Sequence, residues 1–128
     1  MKRISFNLRF VNEAGNDLIP GKIHTIRQNY DYWEKFEGRE LALFTWEGKP
    51  YRSKQKVFCV KRLVSVQSLI FQGGIFSPDM GWNSSIADHR KIAKNDGFEY
   101  FRDFLKWFED GKYKPGRMGI LHFTDFKY

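Results

Sequence analysis

The sequence predicts an α+β domain: a small mixed or antiparallel sheet, curved or closed into a barrel, with helices against one side or end. Three observations lead there. Segments with period-two or β-branched patterning lie near both ends and in the middle of the chain. One clear amphipathic helix carries Phe101, Phe104, Leu105 and Phe108 at i, i+3, i+4 and i+7. No strand–helix–strand alternation runs through the chain, which argues against a doubly wound nucleotide fold.

The elements follow in order. Ile4 to Phe10 alternates apolar and polar residues and reads as a half-buried strand. Asn12 to Gly21 is loop by composition. Lys22 to Arg27 is a short β-branched strand, and Tyr30 to Phe36 holds one or two helical turns that Gly38 ends. Glu40 to Trp46 is a strand, turned at Glu47-Gly48-Lys49 into a longer one, Lys54 to Ser68. The pair reads as an antiparallel hairpin. Apolar residues on both parities imply that the longer strand is buried on both faces or changes face at a bulge. Gln72 to Ser85 is a Gly-rich loop with Pro78 and Trp82, and Ser84 or Ser85 is placed to cap a helix from about Ile86 to Asn95. Asp96-Gly97 breaks that helix. Gly111 stops the Phe101–Phe108 helix, and Met118 to Phe126 is the closing strand.

At 128 residues the chain is read as one domain, 1–128, large enough to fold without a staple. It is 41% hydrophobic and 29% charged, outside the range of disordered chains. Aromatic residues reach 18%. The single cysteine, Cys59, excludes an intrachain disulfide and any zinc cluster built on cysteines. With no secretory signal or membrane-length apolar run in view, the expected location is cytoplasmic, with no membrane partner. Lys and Arg number 22 against 15 acidic residues, net +7, with a pI near 9.6. Such a balance suits an anionic partner, nucleic acid above all, or a merely soluble basic protein.

The basic residues are not evenly spread. No acid lies between Glu47 and Asp79, a stretch that carries Lys49, Arg52, Lys54, Lys56, Lys61 and Arg62 with Tyr51 and Phe58 among them. A hairpin displaying these offers phosphate contacts and stacking rings. The same pattern also fits an edge strand guarded by lysines. His24, His89 and His122 are too scattered for a metal site, and no phosphate-loop, dinucleotide, zincin or nucleophile-elbow motif is present. No metal and no cofactor is expected.

Three segments together resemble the ASCH domain, a branch of the PUA-like β-barrel superfamily. They are Gly21-Lys22-Ile23-His24-Thr25-Ile26-Arg27, then Ile92-Ala93-Lys94-Asn95-Asp96-Gly97-Phe98 with the aromatic helix after it, and Gly119-Ile120-Leu121-His122-Phe123. The likeness spans about residues 4 to 127. It implies a five- or six-stranded barrel with helices packed around a cleft, and a domain that binds RNA or a modified nucleoside. Some small members of the family are amidohydrolases of N4-acylated cytidines and others are reported as ribonucleases, so a small hydrolase is the alternative. A protein-interaction module is a further one.

In the small amidohydrolases a lysine, a threonine three residues on, and a glutamate before the aromatic helix form the active site. Lys22 and Thr25 match the first two, and Asp96 falls at the third with a shorter side chain. His24 stands where those enzymes carry an aliphatic residue, and the insertion from Gln72 to Ser85 is a further departure. Lys22 would act as base toward Thr25, with Asp96 orienting it. In a regular strand Lys22 and Thr25 face opposite ways, so a bulge or a strand start near Ile23 is required. Arg27 is the candidate for a phosphate or carbonyl, or else for a salt bridge to Asp31, Glu34 or Asp96. Tyr30, Trp33 and, in the Gly-rich loop, Trp82 are the candidate stacking rings. Trp107, on the helix flank, is expected to be structural.

Overall fold

The computed structural model describes residues 1–72, 75–78, 89–111 and 113–128. Among the described residues the architecture is α+β, with seven strands in two sheets. The first sheet has the order β1-β3-β4. In it β1 (Lys2–Ser5) lies parallel to β3 (Glu40–Trp46), which pairs antiparallel with β4 (Gln55–Arg62). The second sheet is antiparallel throughout, in the order β2-β7-β5-β6, from β2 (His24–Gln28), β7 (Gly116–His122), β5 (Ser65–Gln72) and β6 (Ile75–Pro78). Among the described residues the ladders do not close into one barrel. No described helix is long and apolar enough to cross a membrane.

The expected long strand from Lys54 to Ser68 is two strands that belong to different sheets. The chain switches at Leu63 and Val64. Leu63 is fully buried and trades backbone hydrogen bonds with Gly38 and Arg39, while the Val64 amide donates to the His122 carbonyl at 2.8 Å. Apolar residues on both parities therefore recorded a change of sheet. A register shift at Leu43/Phe44 adds an irregularity within the hairpin. β4 is an edge strand, as the lysine-guarded reading of its sequence allowed.

The first strand is also shorter than its alternation suggests. It ends at Ser5, and Leu8–Phe10 forms a 3-10 turn. Asn7 turns the chain, because its side-chain oxygen accepts the Arg9 amide at 3.0 Å. In the stretch read as Gly-rich loop, Ile75–Pro78 forms the edge strand β6. Residues 79–88 lie outside the described residues, and with them Trp82, the proposed caps Ser84 and Ser85, and the expected start of the helix at Ile86.

Among the described residues, three α-helices complete the fold: α1 (Tyr30–Glu34), α2 (His89–Asn95) and α3 (Phe101–Asp110). In α3, Phe104 and Phe108 are buried and Phe101 is partly so. Leu105 is 36% exposed, so the buried stripe runs through Phe104, Trp107 and Phe108 and leaves Leu105 on the flank. Ring edges explain the choice: Phe98 meets Phe104 at 5.6 Å and Trp107 at 5.9 Å, and Phe10 meets Trp107 at 5.5 Å. One hydrophobic cluster draws Ile4, Leu41 and Leu43 from the first sheet, Ile26, Leu69 and Ile120 from the second, and Ile92 and Phe104 from the helices.

Candidate functional site

The site begins where α2 ends. Phe98 N donates to Ala93 O at 3.0 Å and Gly97 N to Lys94 O at 3.1 Å, the paired bonds of a Schellman cap, with Gly97 at φ +96°. Asp96 is the last residue before that glycine. Lys22 Nζ donates to its backbone oxygen at 2.7 Å and to Oδ1 at 3.2 Å, and both side chains are buried. A β-carbon on Gly97 would sit 3.1 Å from Lys22 Cδ and 3.2 Å from Phe10 Cδ1. Glycine there both turns the chain and leaves room for the lysine.

β2 begins at His24, so Lys22 precedes the strand and escapes its alternation. The Ile23 amide instead bonds Asn95 O at 2.8 Å, which fastens this segment to the end of α2. Lys22 and Thr25 thus line one cleft of about 300 Å3, together with Arg27 and Asp96. Phe6 and Phe10 form a wall, with Lys22 Nζ 4.4 Å from the Phe10 ring centre. Burial pushes the Lys22 ammonium below the usual lysine range, and Asp96 works against that shift.

Arg27 donates from Nε to Thr25 Oγ1 at 3.2 Å and from a terminal nitrogen to Ser5 O at 2.5 Å, with its guanidinium 4.9 Å from the Phe6 ring centre. Among the described residues it forms no ion pair with a carboxylate. The suggested bridges to Asp31, Glu34 and Asp96 are therefore not formed; Asp31 pairs with Arg117 at 3.6 Å. No hydrogen bond joins Lys22 to Thr25 among the described residues; the lysine's bonds go to Asp96.

Behind the cleft lies a buried polar chain that the sequence did not announce. His24 Nδ1 lies 3.3 Å from Asp96 Oδ1, and His24 Nε2 lies 2.6 Å from the Tyr128 hydroxyl. The carboxylate can only accept, so Nδ1 carries the proton and Tyr128 donates to Nε2. Asn95 Nδ2 donates to the same hydroxyl at 3.0 Å. Burial lowers the His24 pKa, consistent with a neutral ring. His122 packs edge-on against His24 at 5.4 Å and its Nε2 donates to Gln67 Oε1 at 2.8 Å. The one legible signal was His24, a polar residue inside a β-branched strand. Tyr128 is brought in from 104 residues away and had none.

The other candidates divide. Trp33 lines a second cavity beside the first, and Tyr51, which was read only as part of the basic hairpin, lines both. Tyr30 lines neither; its ring lies under the Arg117 guanidinium at 4.5 Å. Trp107, expected to be structural, packs on Phe10 and Phe98 and also reaches the cleft lining. Lys49, Arg52, Lys54 and Lys56 are exposed on or beside the turn that carries Pro50 and Tyr51 to the cleft. Arg62 is exposed at the opposite end of the hairpin, opposite Glu40. Lys61 is engaged by Asp17 at 2.9 Å. Among the described residues no group of three or more His, Cys, Asp or Glu side chains is placed to hold a metal. No family model, curated protein or solved structure matches the chain.

Proposed function

We propose that the protein is a PUA-like, ASCH-type domain that binds RNA or a modified nucleoside in the cleft of Lys22, Thr25, Arg27 and Asp96. The observation that carries this reading is Arg27, a partly buried guanidinium without a carboxylate partner among the described residues, opening on the same cleft as the Lys22–Asp96 pair. A planar donor fork in that setting suits a phosphate or a base carbonyl. Aromatic walls from Phe6, Phe10 and Tyr51 suit the faces of a base. The cleft volume stands at the lower end of the roughly 300–1,000 Å3 of small-ligand sites, which fits a single nucleoside. The exposed lysines and arginines beside the turn would contribute longer-range attraction for a polyanion.

The test is equilibrium titration of the four ribonucleosides, their 5′-monophosphates and N4-acetylcytidine, followed by tryptophan fluorescence or calorimetry. Saturable binding is expected for at least one, weakened about tenfold or more in Arg27→Lys, which keeps the charge and loses the fork. Absence of saturable binding to every ligand overturns the reading.

A hydrolase is the second reading, favoured by Lys22, Thr25 and Asp96 lining one cleft and by the burial that lowers the Lys22 pKa. Water would add across the N4-acyl amide, releasing a carboxylic acid and cytidine. That chemistry needs Lys22 to leave Asp96 and come within about 2.6–3.2 Å of Thr25 Oγ1 or reach it through one water. Conversion of N4-acetylcytidine to cytidine by the wild-type protein, lost in Thr25→Ala, would establish it. Binding without turnover would reject it and leave the binding reading standing.

A further inference from the structure

We infer that the cleft is one of two adjoining subsites and that the ligand is a single-stranded nucleic acid of at least two nucleotides, with the connecting phosphate at Arg27. The inference rests on the nucleotide reading of the first cleft and extends it to a second, adjoining cavity.

The second cavity has a volume of about 400 Å3. It meets the first across Ser5, Arg27, Trp46 and Tyr51, which line both. Arg27 is thus on the boundary, with no carboxylate paired to it among the described residues. The second cavity also carries Lys2, Arg3 and Trp33, and none of its described lining residues is acidic. Lys2 is held at this edge by the Tyr32 hydroxyl and lies 5.6 Å from the centre of the Trp33 ring. Arg3 is exposed and donates to Gln55 Oε1 at 3.0 Å, a neutral partner that leaves its charge uncompensated.

Tyr51 carries the second line of argument. It is 90% exposed, at φ +64°, in a left-handed conformation that a residue with a β-carbon adopts at a cost. The turn around it is tied by Gly48 N to Ser53 Oγ at 2.9 Å and Ser53 Oγ to Lys49 O at 2.9 Å. Its ring lies 5.3 Å from Trp46, tilted by 49°, at the rim shared by the two cavities. A solvent-facing ring on a strained, hydrogen-bonded turn contributes little to the core. Two cavities with aromatic walls and a cationic boundary match the general pattern of single-strand recognition, bases on rings and backbone on cations. A duplex keeps its base faces stacked and cannot use these walls.

The experiment compares the four ribonucleoside 5′-monophosphates with the four homodinucleotides bearing a 5′-phosphate, at one fixed ionic strength, on the wild-type protein and on Arg3→Ala and Trp33→Leu. At least one dinucleotide should bind about tenfold more tightly than its mononucleotide, the order of gain expected from one further stacked base. Each variant should remove most of that gain and leave mononucleotide affinity within about twofold, since neither residue lines the first cleft. Arg3→Ala, an exposed change, guards against Trp33→Leu failing to fold. Equal affinity for mono- and dinucleotides would overturn the inference while the nucleotide reading stands. A dinucleotide advantage untouched by both variants would also overturn it, since the second nucleotide would then lie elsewhere. If no mononucleotide or dinucleotide binds, the nucleotide reading itself fails.

Discussion

Lys22 Nζ grips Asp96 twice, at the backbone oxygen (2.7 Å) and at Oδ1 (3.2 Å), across 74 residues of sequence. The contact joins the segment before β2 to the end of α2, and both residues line the cleft. Removing one member of a buried pair strands the other charge, a loss of about 3–5 kcal/mol. Asp96→Ala should therefore destabilise strongly in urea unfolding. The double variant Lys22→Met/Asp96→Ala should lose less than the sum of the two single changes. Additive losses would mean that the two side chains are not coupled.

Gly97→Ala should damage the same contact from a different direction. The position has φ +96°, and the new methyl would meet Lys22 Cδ and Phe10 Cδ1 at 3.1 and 3.2 Å. Strain of this kind costs on the order of 1–3 kcal/mol. The loss should appear in the unfolding midpoint together with weaker ligand binding, because the lysine must move. A variant as stable as the wild type would contradict the close approach.

The two faces of α3 should separate cleanly. Phe104 is 1% exposed and Leu105 36% exposed. Phe104→Ala should cost about 3–5 kcal/mol. Leu105→Ala should cost well under that, about 1 kcal/mol or less. Comparable losses at the two positions would mean that the helix presents a different face.

Stability should fall with acid between pH 6.5 and 3. Burial holds the His122 pKa down to about 3, and protonating its Nδ1 would place a donor where no partner exists among the described residues. His24 is lowered in the same direction. The unfolded chain takes up these protons near pH 6.5 while the fold refuses them, so the unfolded state gains as pH drops. Each histidine contributes a slope of at most about 1.4 kcal/mol per pH unit, which for His122 flattens below pH 3. Urea midpoints at pH 7, 6 and 5 measure it. A flat profile over that range would show that both rings take up protons in the fold as readily as in the unfolded chain.

Single-stranded RNA should bind more weakly as salt rises, with a log–log slope of about −0.7 per phosphate neutralised. Lys54→Ala/Lys56→Ala should make the slope shallower. Lys61→Ala should change it little, because Asp17 already engages that ammonium at 2.9 Å. An unchanged slope in the double variant would remove the hairpin from the contact surface.

Local chemistry made much of this legible from the sequence. The strand Glu40–Trp46, the Asp96-Gly97 stop and the aromatic helix are each set by short-range pattern and lie where the pattern puts them, and the hairpin after Trp46 forms with a second strand that ends at Arg62. Lys22, Thr25, Arg27 and Asp96 were picked out by resemblance, and all four line one cleft. Other features were decided by contacts between distant segments. Periodicity counts buried positions without saying which sheet buries them, so the mixed parity of Lys54 to Ser68 signalled a change of face but not that the chain passes to another sheet at Leu63 and Val64. The rotation of α3 was decided by Phe10 and Phe98, which take Trp107 and leave Leu105 outside. Tyr128 meets His24 only after β7 has brought the chain back beside β2. The residues shared by the two cavities come from β1, β2, β3 and the turn after β3. Composition and spacing determined what chemistry the chain carries, and long-range packing alone decided which of those groups face one another, because side chains so far apart in sequence meet only when the sheets are assembled.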